Sequence, residues 1–365
     1  MNGISVYRVN AILLLALLSV VMLFYGRIFL IPLIFGILLA MLMLPVSRKL
    51  ESWGVGRVWS VWLCILLILV VLALSVLVIS TQLNNFLNDL PQIQKKVQQM
   101  IDNLQQWIEA RLGVDPERQI SLVKKNVGQL GRTTSNSIKS IFLGTVGGIA
   151  TTGLVLVYVF FLLWKREKYE RFFLKLSRED NRDQVRDILS KSTKVASEYL
   201  GGRLISMLAL AVLYAIGFLI VGLPNAVVLA LIAVIPTLIP YLGPVIGGFF
   251  PMAMALTSGE PGMALSVLIV LVVAQTADNY FIEPFVLGSN LNLSPFITIV
   301  SIIIGEMLWG VAGMVLFIPI VAVLKIFCDH IPHLHPYAYL LGDEGDSSAG
   351  WLDKVKSWFG KKGRS

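Results

Sequence analysis

VWSVWLCILLILVVLALSVLVIS, from Val58 to Ser80, is the stretch that decides the fold class, because it contains no charged side chain. About 20 consecutive apolar residues are long enough to cross the hydrocarbon core of a bilayer as an α-helix. The whole chain shares this character, since 56% of its 365 residues are apolar and only 14% are charged, against about 25% charged in soluble domains. The sequence therefore predicts an all-α integral membrane protein and excludes an ordinary soluble domain.

Further apolar runs predict a polytopic helical bundle. They cover Ala11 to Tyr25, Ile28 to Val46, Ile141 to Trp164, Leu204 to Val221, Ala226 to Leu242, Val245 to Leu256, Met263 to Ile282 and Pro295 to Lys325. The first two are joined without a small-residue cleavage site, so we expect a retained hairpin. The last run would measure about 46 Å as one helix, and a hairpin turning near Gly305 to Gly313 fits its length better. The C-terminal half is therefore expected to contain broken or re-entrant helices.

The basic residues indicate the orientation in the membrane. The net charge is +8, and Lys and Arg collect in two connections, at Ser47 to Arg57 and at Lys165 to Leu200, which the positive-inside rule places in the cytoplasm. We therefore expect both termini to be cytoplasmic and expect no nucleic-acid partner. The charge run at Lys165 to Leu200 is interpreted as a solvated topology anchor rather than a ligand site.

These patterns divide the chain into six regions. Residues 1–80 carry the N-terminal spans, 81–140 an extracytoplasmic subdomain of amphipathic helices, 141–164 one span, 165–203 a basic cytoplasmic loop, 204–328 a transport core with Pro/Gly-broken helices, and 329–365 a cytoplasmic tail. The subdomain is predicted to be helical because apolar residues recur at helical spacing in a polar segment. It is predicted to be extracytoplasmic because the span from Val58 to Ser80 leads away from the cytoplasmic side. In the tail, Trp351 to Phe359 alternates aromatic and basic residues, as in an interfacial helix on anionic lipid.

Prolines and glycines interrupt the apolar segment VIPTLIPYLGPVIGGFFP, from Val234 to Pro251. Each proline removes a backbone donor, and each glycine permits a tight turn or a close approach. Broken helices of this kind form solute sites in transporters, whereas a kinked packing helix without a ligand is the alternative. The predicted hinge residues are Pro236, Pro240, Gly243, Pro244 and Gly247.

The segment AQTADNYFIEP places several polar side chains inside an apolar run. Gln275, Asn279 and Glu283 follow one another at intervals of four, so they are expected on one helix face with Asp278 beside them. Ionisable groups within membrane segments mark substrate and ion pathways by default. The alternative places this face at the cytoplasmic headgroups, merely solvated. Pro284 is expected to end the helix.

Glu306 lies within SIIIGEMLWGVAGM. A carboxylate at the bilayer centre costs at least about 2.5 kcal/mol unless it is hydrated, paired or protonated. Two interpretations remain open for Glu306: a member of a proton or cation relay, or the exposed tip of a hairpin.

Three imidazoles lie within HIPHLHP, at His330, His333 and His335. Imidazoles can bind zinc or nickel, but the prolines break the spacing. We therefore expect a loop at headgroup level, with no metal site and no cofactor.

Three segments resemble the autoinducer-2 exporter (AI-2E) family, formerly an uncharacterised permease-like family. They are IPYLGPVIG at Ile239 to Gly247, YFIEPFVLGSNLNLSP at Tyr280 to Pro295, and GVAGMVLFIPIVAVLK at Gly310 to Lys325. The resemblance implies a bacterial cytoplasmic-membrane transporter of about seven or eight spans that exports the quorum signal autoinducer-2, a small uncharged polyol or its borate adduct. Some family members resemble sodium/proton antiporters. The glycine pair usual in the last hairpin appears here as Gly305 and Glu306.

We therefore expect a secondary transporter or facilitated efflux permease for a small polar solute. A neutral polyol requires groups such as Gln275 and Asn279, whereas exchange of H⁺ or Na⁺ requires carboxylates such as Asp278, Glu283 and Glu306. Two alternatives remain: a monovalent cation (Na⁺)/proton antiporter, and a non-transporting scaffold that acts through residues 81–140. No P-loop, HExxH or GxSxG motif is present, so an enzyme is not expected. Small-residue faces favour a homo-oligomer.

Overall fold

The computed structural model describes residues 6–77, 149–258, 260, 262–287 and 293–343, together with Lys95 and Gln99. Within these ranges the regular elements are all helical, and one isolated bridge joins Leu293 to Gly342. This confirms the all-α prediction. Apart from Lys95 and Gln99, the predicted subdomain at 81–140 lies outside the described residues, as does the predicted interfacial helix at 351–359, and both stay predictions.

The helices follow the predicted apolar runs closely. They are α1 (Val6–Tyr25), α2 (Arg27–Ser52), α3 (Arg57–Leu77), α4 (Ile149–Trp164), α5 (Arg166–Leu176), α6 (Arg182–Val221), α7 (Ala226–Val234), α8 (Leu242–Thr257), α9 (Met263–Ala277), α10 (Glu283–Leu287), α11 (Pro295–Trp309), α12 (Val311–His330) and α13 (His335–Leu341). Short 3₁₀ turns lie at Glu179–Asn181, Ile235–Leu238 and Pro332–Leu334, and a π-helical turn lies at Asp278–Ile282.

Five of the described helical segments are long and apolar enough to cross a membrane. They are α2, α3, α6 with its preceding turn, α9 with the π turn and α10, and α12. Shorter apolar helices include α4, α7, α8 and α11. These lengths confirm a multi-pass membrane protein with short, broken helices in its C-terminal half.

Helix α6 shows why these sequences form membrane helices. On one face Leu210, Tyr214 and Phe218 are buried, and on the opposite face Leu208, Val212 and Ile216 are exposed. A helix that is apolar on all sides satisfies its backbone internally and suits a hydrocarbon solvent. The connection predicted at 165–203 is itself largely helical, because α6 runs without a break from Arg182 to Val221.

The described helices belong to two compact units. One comprises Met1–Ser52, Tyr158–Gly201 and Ser289–Ser365, and the other comprises Trp53–Val157 and Gly202–Gly288. Helices α4 and α6 each contribute residues to both.

The first unit contains a helical hairpin in which α11 and α12 turn at Gly310, whose φ is 60°. Helices α1 and α2 meet at Gly26, whose N–H donates to the carbonyl of Met22 and whose carbonyl accepts from the N–H of Leu30, and the retained hairpin expected for these two runs stays a prediction. In the hairpin of α11 and α12 a Cβ added to Gly313 would lie 1.9 Å from the carbonyl oxygen of Gly305. Only glycine allows this approach of the two backbones, and the predicted hairpin near Gly305 to Gly313 is confirmed.

The second unit packs the later part of α6 against α7, α8 and α9. Its core includes Leu210, Phe218, Ala230 and Val267. Small residues allow α8 to approach α7, because a Cβ at Gly247 would lie 1.9 Å from the carbonyl oxygen of Ala233. This unit carries most of the polar residues singled out from the sequence.

Candidate solute and ion site

A row of polar side chains joins α6 to the segment 275–283 inside the second unit. On α6 the row consists of Arg203, Ser206 and Tyr214, which are only 5%, 1% and 2% exposed. Their spacing of three and eight residues places them on one face of the helix. They lie on the same side of α6 as buried Leu210. The buried face of this helix therefore contains polar side chains among apolar ones.

Asp278 is the most deeply buried carboxylate among the described residues, with 1% exposure. Ser206 donates a hydrogen bond from Oγ to Asp278 Oδ1 over 2.6 Å. This short distance is typical of a hydroxyl bound to a carboxylate. No other described residue donates a hydrogen bond to the Asp278 side chain.

The π turn at Asp278–Ile282 changes the register of the helix that carries these groups. The backbone N–H of Glu283 donates to the carbonyl of Asp278, five residues earlier, whereas an α-helix would pair it with Asn279. The π turn thus shifts Glu283 out of α-helical register, and the predicted common face of Gln275, Asn279 and Glu283 stays a prediction. Single π turns of this kind occur frequently at functional sites.

Pro284 does not end the helix, contrary to the prediction. Helical geometry continues through it to Leu287. Pro284 is the second residue of α10 and follows the π turn directly, and proline is tolerated in the first turn of an α-helical segment.

Arg203 pairs with the second carboxylate of the segment. Its Nη1 lies 3.4 Å from Glu283 Oε1, and the side chains are 7% and 37% exposed, respectively. Nη2 also donates to the carbonyl oxygen of Thr237, while the buried Nε has no hydrogen-bond partner among the described residues. Arg203 thus links Glu283 to the 3₁₀ turn Ile235–Leu238.

The amide groups form a second chain of hydrogen bonds. Tyr214 Oη donates to Gln275 Oε1 over 3.3 Å, and Gln275 Nε2 donates to Asn279 Oδ1 over 3.0 Å. Gln275 is half-buried and Asn279 is exposed. The hydrogen bond between Gln275 and Asn279 matches their spacing of four residues on a helix.

The proline- and glycine-rich segment forms a broken hairpin beside Arg203. Helix α7 passes into the turn containing Pro236, and the chain then leaves helical geometry before α8 begins at Leu242. Tyr241 adopts a positive φ of 64°. A Cβ at Gly243 would lie 2.2 Å from the carbonyl oxygen of Pro236, so this tight crossing requires glycine.

Pro240 and Pro244 flank the non-helical residues of this hairpin. Pro240 lies in the interruption, where its carbonyl accepts a hydrogen bond from the N–H of Leu242. Pro244 and Gly247 lie in the first turns of α8. The predicted break in the helix is thus present at these residues, and their role as a hinge stays a prediction.

Glu306 belongs to the first unit and lies in the last turn of α11. It is exposed, and its side chain forms no hydrogen bond or ion pair with another described residue. Its position next to the Gly310 turn corresponds to the hairpin-tip interpretation.

The histidines also belong to the first unit. His330 Nε2 lies 3.1 Å from Asp187 Oδ2 and 3.2 Å from Lys191 Nζ, whereas His333 and His335 are exposed. Within the described ranges no group of three or more His, Cys, Asp or Glu side chains could hold a metal ion.

Sequence reasoning missed Arg203. The transport core was predicted to begin at Leu204, and Arg203 was assigned to the basic connection before it. Nothing in the sequence breaks the helix between the two, however, and Arg203, Ser206, Leu210 and Tyr214 recur at the spacing of one helix face. That periodicity was the available signal.

A polytopic helical bundle with a buried carboxylate and a hairpin of broken helices is typical of membrane transport proteins. The chain belongs to the AI-2E transporter family, since the family model described as AI-2E family transporter matches residues 11–333. The family resemblance noted in the sequence is thereby confirmed.

Several relatives are similar over most of their length. YueF of Bacillus subtilis (strain 168) is 29% identical over 83% of this chain and 84% of the relative. PerM of Escherichia coli (strain K12) is 26% identical over 85% and 91%, respectively. TqsA of the same organism, named as an AI-2 transport protein, is 24% identical over 94% and 97%.

Proposed function

We propose that this protein is a secondary transporter or facilitated efflux permease for a small polar solute, and that the solute or a coupling ion passes the polar row between α6 and α9. The observation that carries the proposal is buried Asp278, held by Ser206 in a π turn. Replacing buried ionic groups by apolar residues often leaves stability unchanged or improves it. Folding alone therefore does not account for this carboxylate in an apolar bundle.

The amide chain and the carboxylates of the polar row suit different transported species. Gln275 and Asn279 offer an amide chain that reaches the surface of the unit, and such groups suit the hydroxyls of an uncharged polyol. The name of the relative TqsA points to autoinducer-2 as the solute to test first. Asp278 and Glu283 suit a proton or a monovalent cation.

Arg203 is proposed as a positioning residue for this site. Its guanidinium connects Glu283 to the carbonyl of Thr237, at the start of the broken hairpin. Neutralising Glu283 would weaken its contact with Arg203 and leave the contact between Arg203 and the carbonyl of Thr237. The hairpin of α7 and α8 would then move when Arg203 changes partner, which gives the predicted hinge at Gly243 and Pro244 a physical cause.

A monovalent cation/proton antiporter is the second candidate. The row contains one guanidinium and two carboxylates, and Arg203 pairs with Glu283 whereas Asp278 accepts from Ser206. When both carboxylates are ionised, the row keeps one negative charge, which one proton or one Na⁺ would neutralise. Sodium-dependent proton movement separates this candidate from export of a neutral solute.

We further propose that the protein resides in the bacterial cytoplasmic membrane with both termini in the cytoplasm. The basic connections at Ser47 to Arg57 and Lys165 to Leu200 support this orientation, because Lys and Arg mark cytoplasmic connections. Accessibility of cysteines introduced near each terminus, measured in intact cells and in inverted vesicles, tests it.

Flux in proteoliposomes tests the proposed function. Radiolabelled autoinducer-2 and ²²Na⁺ are loaded with a pH-sensitive dye, and efflux is followed with and without imposed proton and sodium gradients. We expect Asp278→Asn together with Glu283→Gln to abolish flux while the protein stays monodisperse. Thr276→Ala is the control, since exposed Thr276 bonds only to the carbonyl of Val272.

Unchanged flux of both solutes in the double variant would remove these carboxylates from the pathway. Loss of sodium-dependent proton movement alone would select the antiporter, and loss of autoinducer-2 efflux would select the exporter.

A further inference from the structure

Helix α5 carries an apolar face that the described residues leave uncovered. Tyr169, Phe172, Phe173 and Leu176 are 40%, 58%, 44% and 75% exposed. At 100° per residue these four side chains occupy one side of the helix. Leu174, the half-buried apolar residue of α5, lies on nearly the opposite side, so the aromatic face points away from the rest of its unit.

The position of α5 along the chain places this face at the membrane surface. Only Lys165 separates α5 from α4, the apolar helix that ends at Trp164. Lys165 Nζ lies 3.7 Å from the centre of the Trp164 ring, and Trp and Lys are residues that anchor helix ends at headgroup level. A helix with one apolar face and a basic polar face is suited to lie in the interface between lipid and water.

The charges beside the apolar face are predominantly basic. The stretch from Lys165 to Arg178 contains the bases Lys165, Arg166, Lys168, Arg171, Lys175 and Arg178 and the acids Glu167 and Glu170. Within the described part of the chain, Arg166 pairs with Glu51 and Arg171 with Glu167. Lys168 and Lys175 have no ion pair with any described residue.

Lys168 and Lys175 lie seven residues apart on the same side of α5, and both adjoin Phe172. An aromatic side chain inserted below the headgroups would therefore bring two ammonium groups to the level of the lipid phosphates. Long lysine side chains reach the polar layer while the helix lies in the interface. Anionic headgroups at that level would attract both bases.

We propose that α5 lies in the plane of the headgroups and binds anionic phospholipid through Lys168 and Lys175, with Phe172, Phe173 and Leu176 inserted into the acyl boundary. This differs from the solvated topology anchor that the sequence suggested for the charge run. The proposal is independent of the transport function. Each lysine near an anionic surface strengthens lipid association by about fivefold.

The test uses the full chain, with Phe172→Cys carrying a bimane fluorophore, reconstituted in phosphatidylcholine vesicles. The native cysteines, Cys64 and Cys328, are buried thiols and are replaced by alanine and serine. A small fraction of nitroxide-labelled phosphatidylglycerol or nitroxide-labelled phosphatidylcholine is added as the quencher. The ratio of the two quenching efficiencies reports enrichment of anionic lipid at the face.

We expect phosphatidylglycerol to quench at least fivefold more effectively than phosphatidylcholine at equal mole fraction. Lys168→Gln with Lys175→Gln should bring the ratio close to one, whereas Lys168→Arg with Lys175→Arg should keep it. The arginine variant controls for misfolding, because it retains charge. A bimane at Glu167→Cys, on the polar side of α5, should be quenched weakly by both lipids.

Three results would overturn the proposal. Equal quenching by the two lipids would mean that the face inserts without selecting a headgroup. Water-like bimane emission without quenching would mean that the face is solvated. Blue-shifted emission without quenching would mean that protein, such as a second copy of this chain, covers it.

Discussion

Ser206 offers the sharpest test of the buried polar row, because its hydroxyl is the hydrogen-bond donor to Asp278 in the described structure. The two oxygen atoms lie 2.6 Å apart, and each residue is 1% exposed. A hydrogen bond to a charged group contributes about 1.5 to 3 kcal/mol. Ser206→Ala should therefore lower the free energy of unfolding by that amount, which is about a 10- to 160-fold change in the folding equilibrium.

The assay is equilibrium unfolding in mixed micelles, in which sodium dodecyl sulfate is titrated and helical circular dichroism is followed at neutral pH. Ser301→Ala is the matched control. Ser301 is also buried, at 3% exposure, but its hydroxyl donates to the carbonyl of Ile297 in its own helix. That carbonyl is paired by the helix as well, so the control should cost at most about 1 kcal/mol.

A double-mutant cycle isolates the interaction itself. Ser206→Ala, Asp278→Ala and the double variant should give a coupling free energy of at least about 1.5 kcal/mol. A coupling below about 0.5 kcal/mol would be typical of an exposed polar contact. That result would refute the assignment of Ser206 and Asp278 to one buried, charge-assisted hydrogen bond.

Two further predictions concern the first unit. Gly305→Ala should destabilise the α11–α12 hairpin by about 1 to 3 kcal/mol or more, because its Cβ would lie 2.4 Å from the backbone oxygen of Gly313. The control is Gly153→Ala, whose Cβ meets nothing within 4 Å and which should stabilise the protein by about 0.5 to 1 kcal/mol. Equal effects of the two substitutions in thermal unfolding would contradict the close approach of Gly305 to Gly313. Arg166 donates two hydrogen bonds of 2.9 and 2.6 Å to the Glu51 carboxylate. Glu51→Gln should therefore lower the free energy of unfolding by about 1 kcal/mol in the same detergent titration. Exchanging the charges of both residues together should leave a more stable protein than exchanging the charge of either residue alone.

Arg203 in the buried polar row is arranged in a way that lowers stability, and a role in transport would account for this arrangement. Arg203 has an unpaired buried Nε and a long contact to Glu283, which is a poor arrangement for stability, since an unsatisfied buried donor costs about 1 to 3 kcal/mol. Such an arrangement is expected where a side chain exchanges partners. Arg203 therefore links the Glu283 carboxylate to the broken hairpin of the proposed hinge.

The amino-acid sequence determined the membrane fold by itself, because hydropathy is a local property. An uncharged run such as Val58 to Ser80 is long and apolar enough to cross a bilayer whatever its neighbours are. Local chemistry also determined the hairpin turning at Gly310, since an apolar run of that length fits neither one crossing nor two full ones. The spacing of Gln275 and Asn279 likewise predicted that they share a helix face, where Gln275 Nε2 donates to Asn279 Oδ1.

Only the tertiary structure decided which polar groups meet. The backbone register after Asp278 depends on a π turn, whose stability comes from packing and which no residue pattern specifies. Arg203 acquires its role because α6 continues unbroken into the bundle and brings the guanidinium beside Thr237, 34 residues away in sequence. Contacts of this kind are formed between helices, and their free energy depends on distances that a linear pattern does not contain.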